Sequence, residues 1–523
     1  MLRALLIMLL LLVPALAEAK WREASSRHFL IYSEASERDL RQMATQLERF
    51  DSLLRAERGL ADPDRSPSSR VTIFVVRDID ELQELVGSQG VAGIYFGRAS
   101  GSIVLTPRIA ADGQTRGSVL LSERTTVRSH GNFTPQVVLL HEYMHHFMFN
   151  NFNFGAPLWF SEGYPEFYST ARFEADGGIT LGTPPWYRGY ELTELPPINP
   201  KELLLKPDEG HENAAIYGQG WLMSHYLTFE PSRRGQLDAY LRALNAGAQP
   251  AEAAAVFGDL DKLGRELRAY LRRPQFGLST IPAERIKTGP VQIRDLTPAE
   301  SAVMGVKIQS KRGVDAKMAL ALVKEARRTA APYPNDPTAQ LVLAEAEYDA
   351  NNFAAAEAAA DRALAADPKL VDAHLYKARA IWGRAEAAKD RSPEVWRDVR
   401  SRLAAANRLD PDDAEPLVLF YESFAASGTP PSDNAVTGLL FAQELAPEDR
   451  GLRITAVREL LADGESKRAL ALLAPVVNSV HGGEFRRKLA AVMETVRAGD
   501  PKAALAQLDA MRKKAEEDAK KKS

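Results

Sequence analysis

The chain contains no cysteine. That excludes disulfides and a lipid-bearing N-terminal cysteine, so an exported form must be held by its core and by any bound metal, which suits a bacterial periplasm better than a eukaryotic secretory route. Long apolar runs are also missing beyond the first 19 residues. Nothing later approaches the ~20 residues that a membrane helix needs, so no stable span is expected after signal cleavage. There is no basic stripe: the formal charge of −3 is close to balanced and the terminal MRKKAEEDAKKKS mixes signs. A nucleic-acid partner is therefore not expected.

What is there begins with an export signal. Met1-Leu-Arg3 is a short basic start, Ala4 to Leu16 an apolar core, and Ala15-Leu-Ala17 or Ala17-Glu-Ala19 a small-x-small cleavage site. Residues 1–19 thus read as a secretory signal peptide, and the destination as the bacterial periplasm or the medium. The 523 residues, 45% of them apolar, suffice for about three domains.

Residues 20–130 alternate strand and helix signals. Strands are expected at 27–32, 70–76, 93–96 and 102–105, with helices over 37–60 and 79–87. Segment 90–105 is the candidate sheet edge for holding extended substrate. Residues 131–275 read as helical, with a hairpin at 177–182 and a Pro-rich loop to 200 in which Trp186 and Tyr187 are candidates for a substrate groove. Residues 276–315 have no clear period and read as a connector, with a strand-like stretch at 290–294.

Within the helical part, residues 141–145 read His-Glu-Tyr-Met-His. With nine histidines in the chain, the bare H-E-x-x-H pattern would arise by chance in roughly one chain in a hundred of this size. On a helix, His141 and His145 stack one turn apart and can bind one metal ion, while Glu142 beside them can act as general base on a water. Thr134 is a suitable N-cap and Pro135 a suitable first residue for that helix. Pro157 can start a second helix carrying Trp159, Glu162, Gly163 and Glu166. In an antiparallel pair Glu162 converges on the two imidazoles as third ligand, and Glu166, one turn further, suits a carboxylate accepting the spare imidazole N–H. Met148 and Asn151 stand where a metzincin needs Gly and His, which excludes that class. His146 and His225 are expected to be structural.

HEYMH followed by PLWFSEGYPEF resembles the gluzincin clan of zinc peptidases, including peptidase-MA-like proteins, in which Glu supplies the third ligand. Sixteen residues separate His145 from Glu162, slightly fewer than in the aminopeptidases of that clan. The resemblance implies one Zn2+ per chain on His141, His145 and Glu162, and a zincin-like α+β metallopeptidase domain. It also implies a catalytic role for Tyr217, since Tyr217-Gly-Gln-Gly220 matches a Tyr-x-x-Gly helix start whose hydroxyl steadies the tetrahedral intermediate. No Gly-x-Met-Glu-Asn run is present to hold a free amine, which disfavours an aminopeptidase.

From residue 316 to 515 the composition turns to Ala-rich helices. Ala339 to Pro368 resembles a tetratricopeptide unit, and Asp336-Pro337, Asp410-Pro411 and Ala446-Pro447 mark further repeat ends. Residues 516–523 read as a solvated helix end or a disordered tail. The fold class expected is an α+β peptidase domain followed by an all-α repeat domain whose concave face docks a protein partner. Two functions compete: an exported zinc metallopeptidase hydrolysing a protein or peptide substrate, or a repeat-based envelope scaffold with a structural or inactive metal site.

Overall fold

A computed structural model describes residues 20–522 apart from 65, 90, 109–133, 153–155, 198, 206–214, 247 and 478–482. The expected signal peptide lies outside the described residues. The strands are β1 (Arg22–Ser25), β2 (Phe29–Ser33), β3 (Val71–Val76), β4 (Ile94–Phe96), β5 (Ile103–Pro107), β6 (Arg172–Phe173), β7 (Ile179–Leu181), β8 (Ser279–Ile281) and β9 (Gln292–Asp295). The first four helices are α1 (Glu37–Arg58), α2 (Ile79–Val86), α3 (Pro135–Asn151) and α4 (Leu158–Ser169).

Six strands form the main sheet in the order β4-β5-β3-β2-β1-β9, and β6-β7-β8 form a small antiparallel one. The parallel pairs β2–β3 and β3–β5 need crossovers, and α1 and α2 lie in those connections. Such a sheet is covered on both faces, and the period-two alternation along β3 sorts its side chains accordingly. Val71, Ile73 and Val75 pack with Leu47, Phe50 and Leu54 of α1 and with Leu139, Leu140 and Tyr143 of α3. Phe74 and Val76 pack on the other face with Leu82 of α2 and with Met304 and Ile308.

Met304 and Ile308 belong to a helix, Pro298–Arg312, inside the stretch expected to be a connector. Residues 276–315 are in fact structural: β8 completes the small sheet, β9 pairs with β1 at Ala24↔Ile293, and the helix, opened by a Thr297–Glu300 capping box, covers the main sheet. The segment shows no period because β8 and β9 are strands of three and four residues, largely exposed and specified by pairing with distant strands. β1, with the polar sequence REAS, is likewise specified by its pairing partners rather than by its own pattern. Of the two readings of the tail, disorder is corrected and the helix end stands: the last helix runs Pro501–Lys522, as its Ala, Lys and Glu content favours.

Among the described residues everything after Pro298 is helix and turn, and each helix packs on the next. The unit read at 339–368 forms the pair Pro337–Asp349 and Phe353–Ala366, capped by Asp336, whose side chain accepts from the Ala339 N–H. Ala344, Ala359 and Ala360 are fully buried beside Tyr376, small enough to let neighbouring helices approach. This repeat-like region returns to the sheet domain. Ser66 N–H donates to Asp412 (3.0 Å), Ala99 N–H to Asp449 (2.8 Å), and Arg98 holds the carbonyls of Lys311 and Arg312 (2.8 and 2.9 Å). No described helix is long and apolar enough to cross a membrane.

Candidate metal centre

Thr134 caps α3 by accepting from the Val137 N–H (3.3 Å), and Pro135 occupies the first helical position. The buried face of α3 carries Leu139, Leu140, Tyr143, Met144 and Phe147, and the Tyr143 hydroxyl donates to Asp51 of α1 at 2.7 Å. Those contacts set the rotation of the helix, leaving His141, Glu142 and His145 half-buried on a different face. His146 takes a hydrogen bond with the Tyr95 hydroxyl (2.8 Å) on the β4 side and stays out of the cluster, as expected.

Glu162 reaches the histidines because α4 crosses the Ile216–Phe229 helix at unusual proximity. A Cβ built on Gly163 would lie 2.0 Å from the carbonyl carbon of Gly220, and one on Gly220 would lie 2.5 Å from the Trp159 oxygen. Only glycine at both positions permits that approach. The same crossing brings Tyr217 in: its ring centroid is 6.1 Å from that of His141.

The three expected ligands converge. His141 Nε2 and His145 Nε2 are 3.1 Å apart, and Glu162 Oε2 is 3.3 Å from the first and 3.6 Å from the second. A tetrahedral ion with bonds of about 2.0–2.2 Å separates its ligands by about 3.3–3.6 Å, so the triangle has the right size. Glu162 is 1% exposed and neither of its oxygens accepts a hydrogen bond of good geometry. A buried carboxylate left in that state costs several kcal/mol unless a cation compensates it. Two imidazoles and one carboxylate are a donor set that fits a divalent cation, and among the described residues no other group of three or more potential ligands is so arranged.

Burial by itself would raise the Glu162 carboxyl, yet the charges of the neighbouring His145 and His141 imidazoles hold it far below the usual carboxylate range. Burial likewise opposes protonation of His145, and the Glu162 carboxylate overcomes it, raising that imidazole. Glu166 stands behind His141, its Oε1 3.6 Å from Nδ1. It is gripped by Arg188, whose Nη2 and Nε lie 2.6 and 3.2 Å from Oε1, and by the Tyr187 hydroxyl at 2.6 Å. Burial would raise Glu166, and Arg188 and His141 outweigh it. The Tyr217 phenol is pushed above its ordinary value first by the Glu162 charge and then by burial, and so stays a hydrogen-bond donor. Arg188 stacks over its ring at 4.5 Å.

Of the two candidate groove aromatics, Trp186 is exposed, whereas Tyr187 is buried as the donor to Glu166. His225 is fully buried: Nε2 lies 3.1 Å from the carbonyls of Gly182 and Gly277, and Nδ1 2.9 Å from the Tyr270 hydroxyl. It takes no part in the cluster, as expected.

A cavity of about 630 Å³ opens on the cluster, lined by Glu142, His145 and Glu162, by Ile94 and Tyr95 of the edge strand β4, and by Glu448, Asp449, Arg450 and Gly451. Segment 90–105 therefore does supply the sheet edge beside the histidines. The four residues from the helical region are ones that sequence reasoning missed. Asp449 can be read as a helix cap, but nothing local says that the cap meets a cavity some 300 positions earlier in the chain.

The fold and site together define a mixed sheet-and-helix unit presenting a His-His-Glu cluster, closed on one side by a repeat-like helical region. No family model matches the chain, and no curated protein does. Among solved structures, a thermophilic TPR protein from Thermus thermophilus aligns over 37% of this chain and 97% of its own at 19% identity, with a TM-score of 0.31.

Proposed function

We propose that the chain is an exported zinc-dependent metallopeptidase of gluzincin type, with tetratricopeptide-like repeats that help to select its protein or peptide substrate. The observation that carries this reading is the buried Glu162 carboxylate, its oxygens lacking hydrogen bonds, set 3.3 and 3.6 Å from two imidazole nitrogens at the wall of a cavity that Glu142 also lines. His141, His145 and Glu162 would hold the zinc, which when bound lowers the pKa of a water and polarises a peptide carbonyl.

The chain's own groups divide the remaining work. Glu142 takes the proton of the attacking water and delivers it to the amine as the C–N bond breaks, so that hydroxyl goes to the acyl carbon and hydrogen to nitrogen. The Tyr217 hydroxyl donates to the carbonyl oxygen as it gains charge. Glu166, oriented by Arg188 and Tyr187, orients His141 from behind. Helical repeats supply an extended surface for a protein partner.

The test is metal analysis of the purified chain coupled to a peptide-library digest by wild type and Glu142→Gln. Zinc together with cleavage that Glu142→Gln abolishes supports the proposal. Zinc with no cleavage by wild type moves the reading to an envelope scaffold with a structural metal, which the close docking of the helical region on the β4–β5 hairpin also suits.

A further inference from the structure

Tyr217 carries the phenol assigned to the substrate carbonyl, and it stands second in the Ile216–Phe229 helix. That helix is not capped from within: Ala215 at its start has no capping side chain, so the first amide N–H groups need acceptors from elsewhere. The Gly218 N–H finds one in Glu191 of the short Gly189–Thr193 helix, whose Oε2 accepts it at 2.8 Å. Gln219 adds a second tie, its Nε2 donating to the Glu191 carbonyl at 3.2 Å. A Cβ on Gly218 would lie 3.0 Å from Glu191 Cβ and 3.1 Å from its Oε2, so the two segments meet with little room to shift.

The other oxygen of the same carboxylate reaches Arg188. Arg188 Nη1 donates to Glu191 Oε1 at 2.9 Å, while Nε and Nη2 go to Glu166. Carboxylates on two sides of the guanidinium fix its orientation, and its face lies over the Tyr217 ring, 4.5 Å from the centroid. The Arg188 and Glu191 side chains are only 10% and 12% exposed, so water screens the pair weakly. Tyr217 is thus held twice from one residue, through the backbone that follows it and through the arginine stacked on its ring. Both ties act on backbone and ring, not on the hydroxyl.

We propose that Glu191 and Arg188 are positioning residues for Tyr217, a capping carboxylate and a stacked guanidinium that together set the phenol where the oxyanion forms. The proposal rests on the peptidase reading and adds two residues that act through Tyr217. Arg188 also serves Glu166, so Glu191 is the residue at which the two duties separate.

The test is a double-mutant cycle on the full chain loaded with zinc, using the peptide that wild type cleaves fastest in the library digest. Tyr217→Phe should lower kcat roughly 100- to 1000-fold, the loss typical of one oxyanion donor. Glu191→Ala should lower kcat roughly 10- to 100-fold with KM and zinc affinity unchanged, as a phenol misplaced by about 1 Å requires. In the Tyr217→Phe background Glu191→Ala should cost nothing further. Glu191→Gln keeps an acceptor for Gly218 but not the charge opposite Arg188, and should fall between.

Equal losses in both backgrounds overturn the proposal, because Glu191 would then act on something other than Tyr217. So does a fall in zinc affinity that accompanies the fall in kcat, which would place its influence at Glu166 and His141. Should Glu191→Ala fold poorly, Gly218→Ala decides: it presses on the Glu191 carboxylate while keeping every charge, and it must show the same non-additivity with Tyr217→Phe. A readout without turnover separates the two readings. Fluorotyrosine introduced at position 217 should give a fluorine NMR resonance displaced from that of the free amino acid, and Glu191→Ala should return it toward the free value. That response in a chain that cleaves no peptide sinks the peptidase reading and leaves the hold on Tyr217 assigned, whereas cleavage by wild type with a resonance indifferent to Glu191 does the reverse.

Discussion

Gly163→Ala should damage the proposed metal centre without touching a proposed ligand. The new methyl carbon would sit 2.0 Å from the Gly220 carbonyl carbon and 2.4 Å from both its Cα and its oxygen. Ordinary contacts between such atoms are about 3.5 Å, so α4 and the Ile216–Phe229 helix must part by on the order of 1 Å. Both sides of the clash are backbone, and no rotamer change can relieve it. Overpacking of this kind costs about 1–3 kcal/mol or more. Glu162 precedes Gly163 on the same helix, so the shift carries it away from His141 and His145. Zinc affinity should fall roughly 10- to 100-fold, the loss typical when ligand support is disturbed. Chelator competition on the intact chain measures the affinity, and thermal unfolding measures the stability. The control is Gly305→Ala, at an exposed helical glycine where an added methyl would meet nothing within 4 Å; it should be neutral or stabilising by up to about 1 kcal/mol. Wild-type melting and wild-type zinc affinity for Gly163→Ala would refute the argument that this crossing positions the site.

Three further outcomes follow from the same geometry. Glu142→Gln should keep zinc and lose at least 100-fold in peptide hydrolysis, about the contribution of a general base, whereas His145→Ala should lose both, as read by metal content and turnover together. Arg188→Met removes the main partner of buried Glu166 and should destabilise the chain by about 3–5 kcal/mol, seen as a lower melting temperature with residual helicity intact. His225 is pushed down to about 4 by burial, despite hydrogen bonds with the Gly182 and Gly277 carbonyls. Its pKa is depressed on folding, so the unfolded chain protonates first. The stability gained by keeping the ring neutral is whole above about pH 6.5 and is lost as pH falls toward 4, amounting to roughly 3 kcal/mol across that window. Calorimetry between pH 7.5 and 4.5 should show a shallower decline for His225→Asn than for wild type; parallel curves would count against a neutral buried imidazole.

Much of the sheet domain was legible because its signals are local. β3 reads as a strand from VTIFVV alone, and α3 announces itself through Thr134, Pro135 and its apolar face. The His141–His145 pairing needs only the helical repeat, since a spacing of four residues is close to one turn of about 3.6. Residues 276–315 were illegible for the opposite reason: β8, β9 and the Pro298–Arg312 helix each depend on a partner far away in the chain. Glu162 lies between these cases, since its helix was foreseeable but its meeting with the histidines depends on the Gly163–Gly220 contact.

The amino-acid order by itself determined that two imidazoles lie one helical turn apart with a carboxylate beside them, that a Glu-bearing helix follows, and that Ala-rich helical pairs come after it. Caps, short periods and side-chain size act within a few residues and leave their mark in the sequence. Only the tertiary structure decided that Glu162 is buried at 3.3 Å from His141, that Arg188 rather than solvent holds Glu166, and that Glu448, Asp449 and Arg450 close the cavity. Those outcomes are set by packing between elements tens to hundreds of residues apart, where contact depends on the summed geometry of every helix and strand between them.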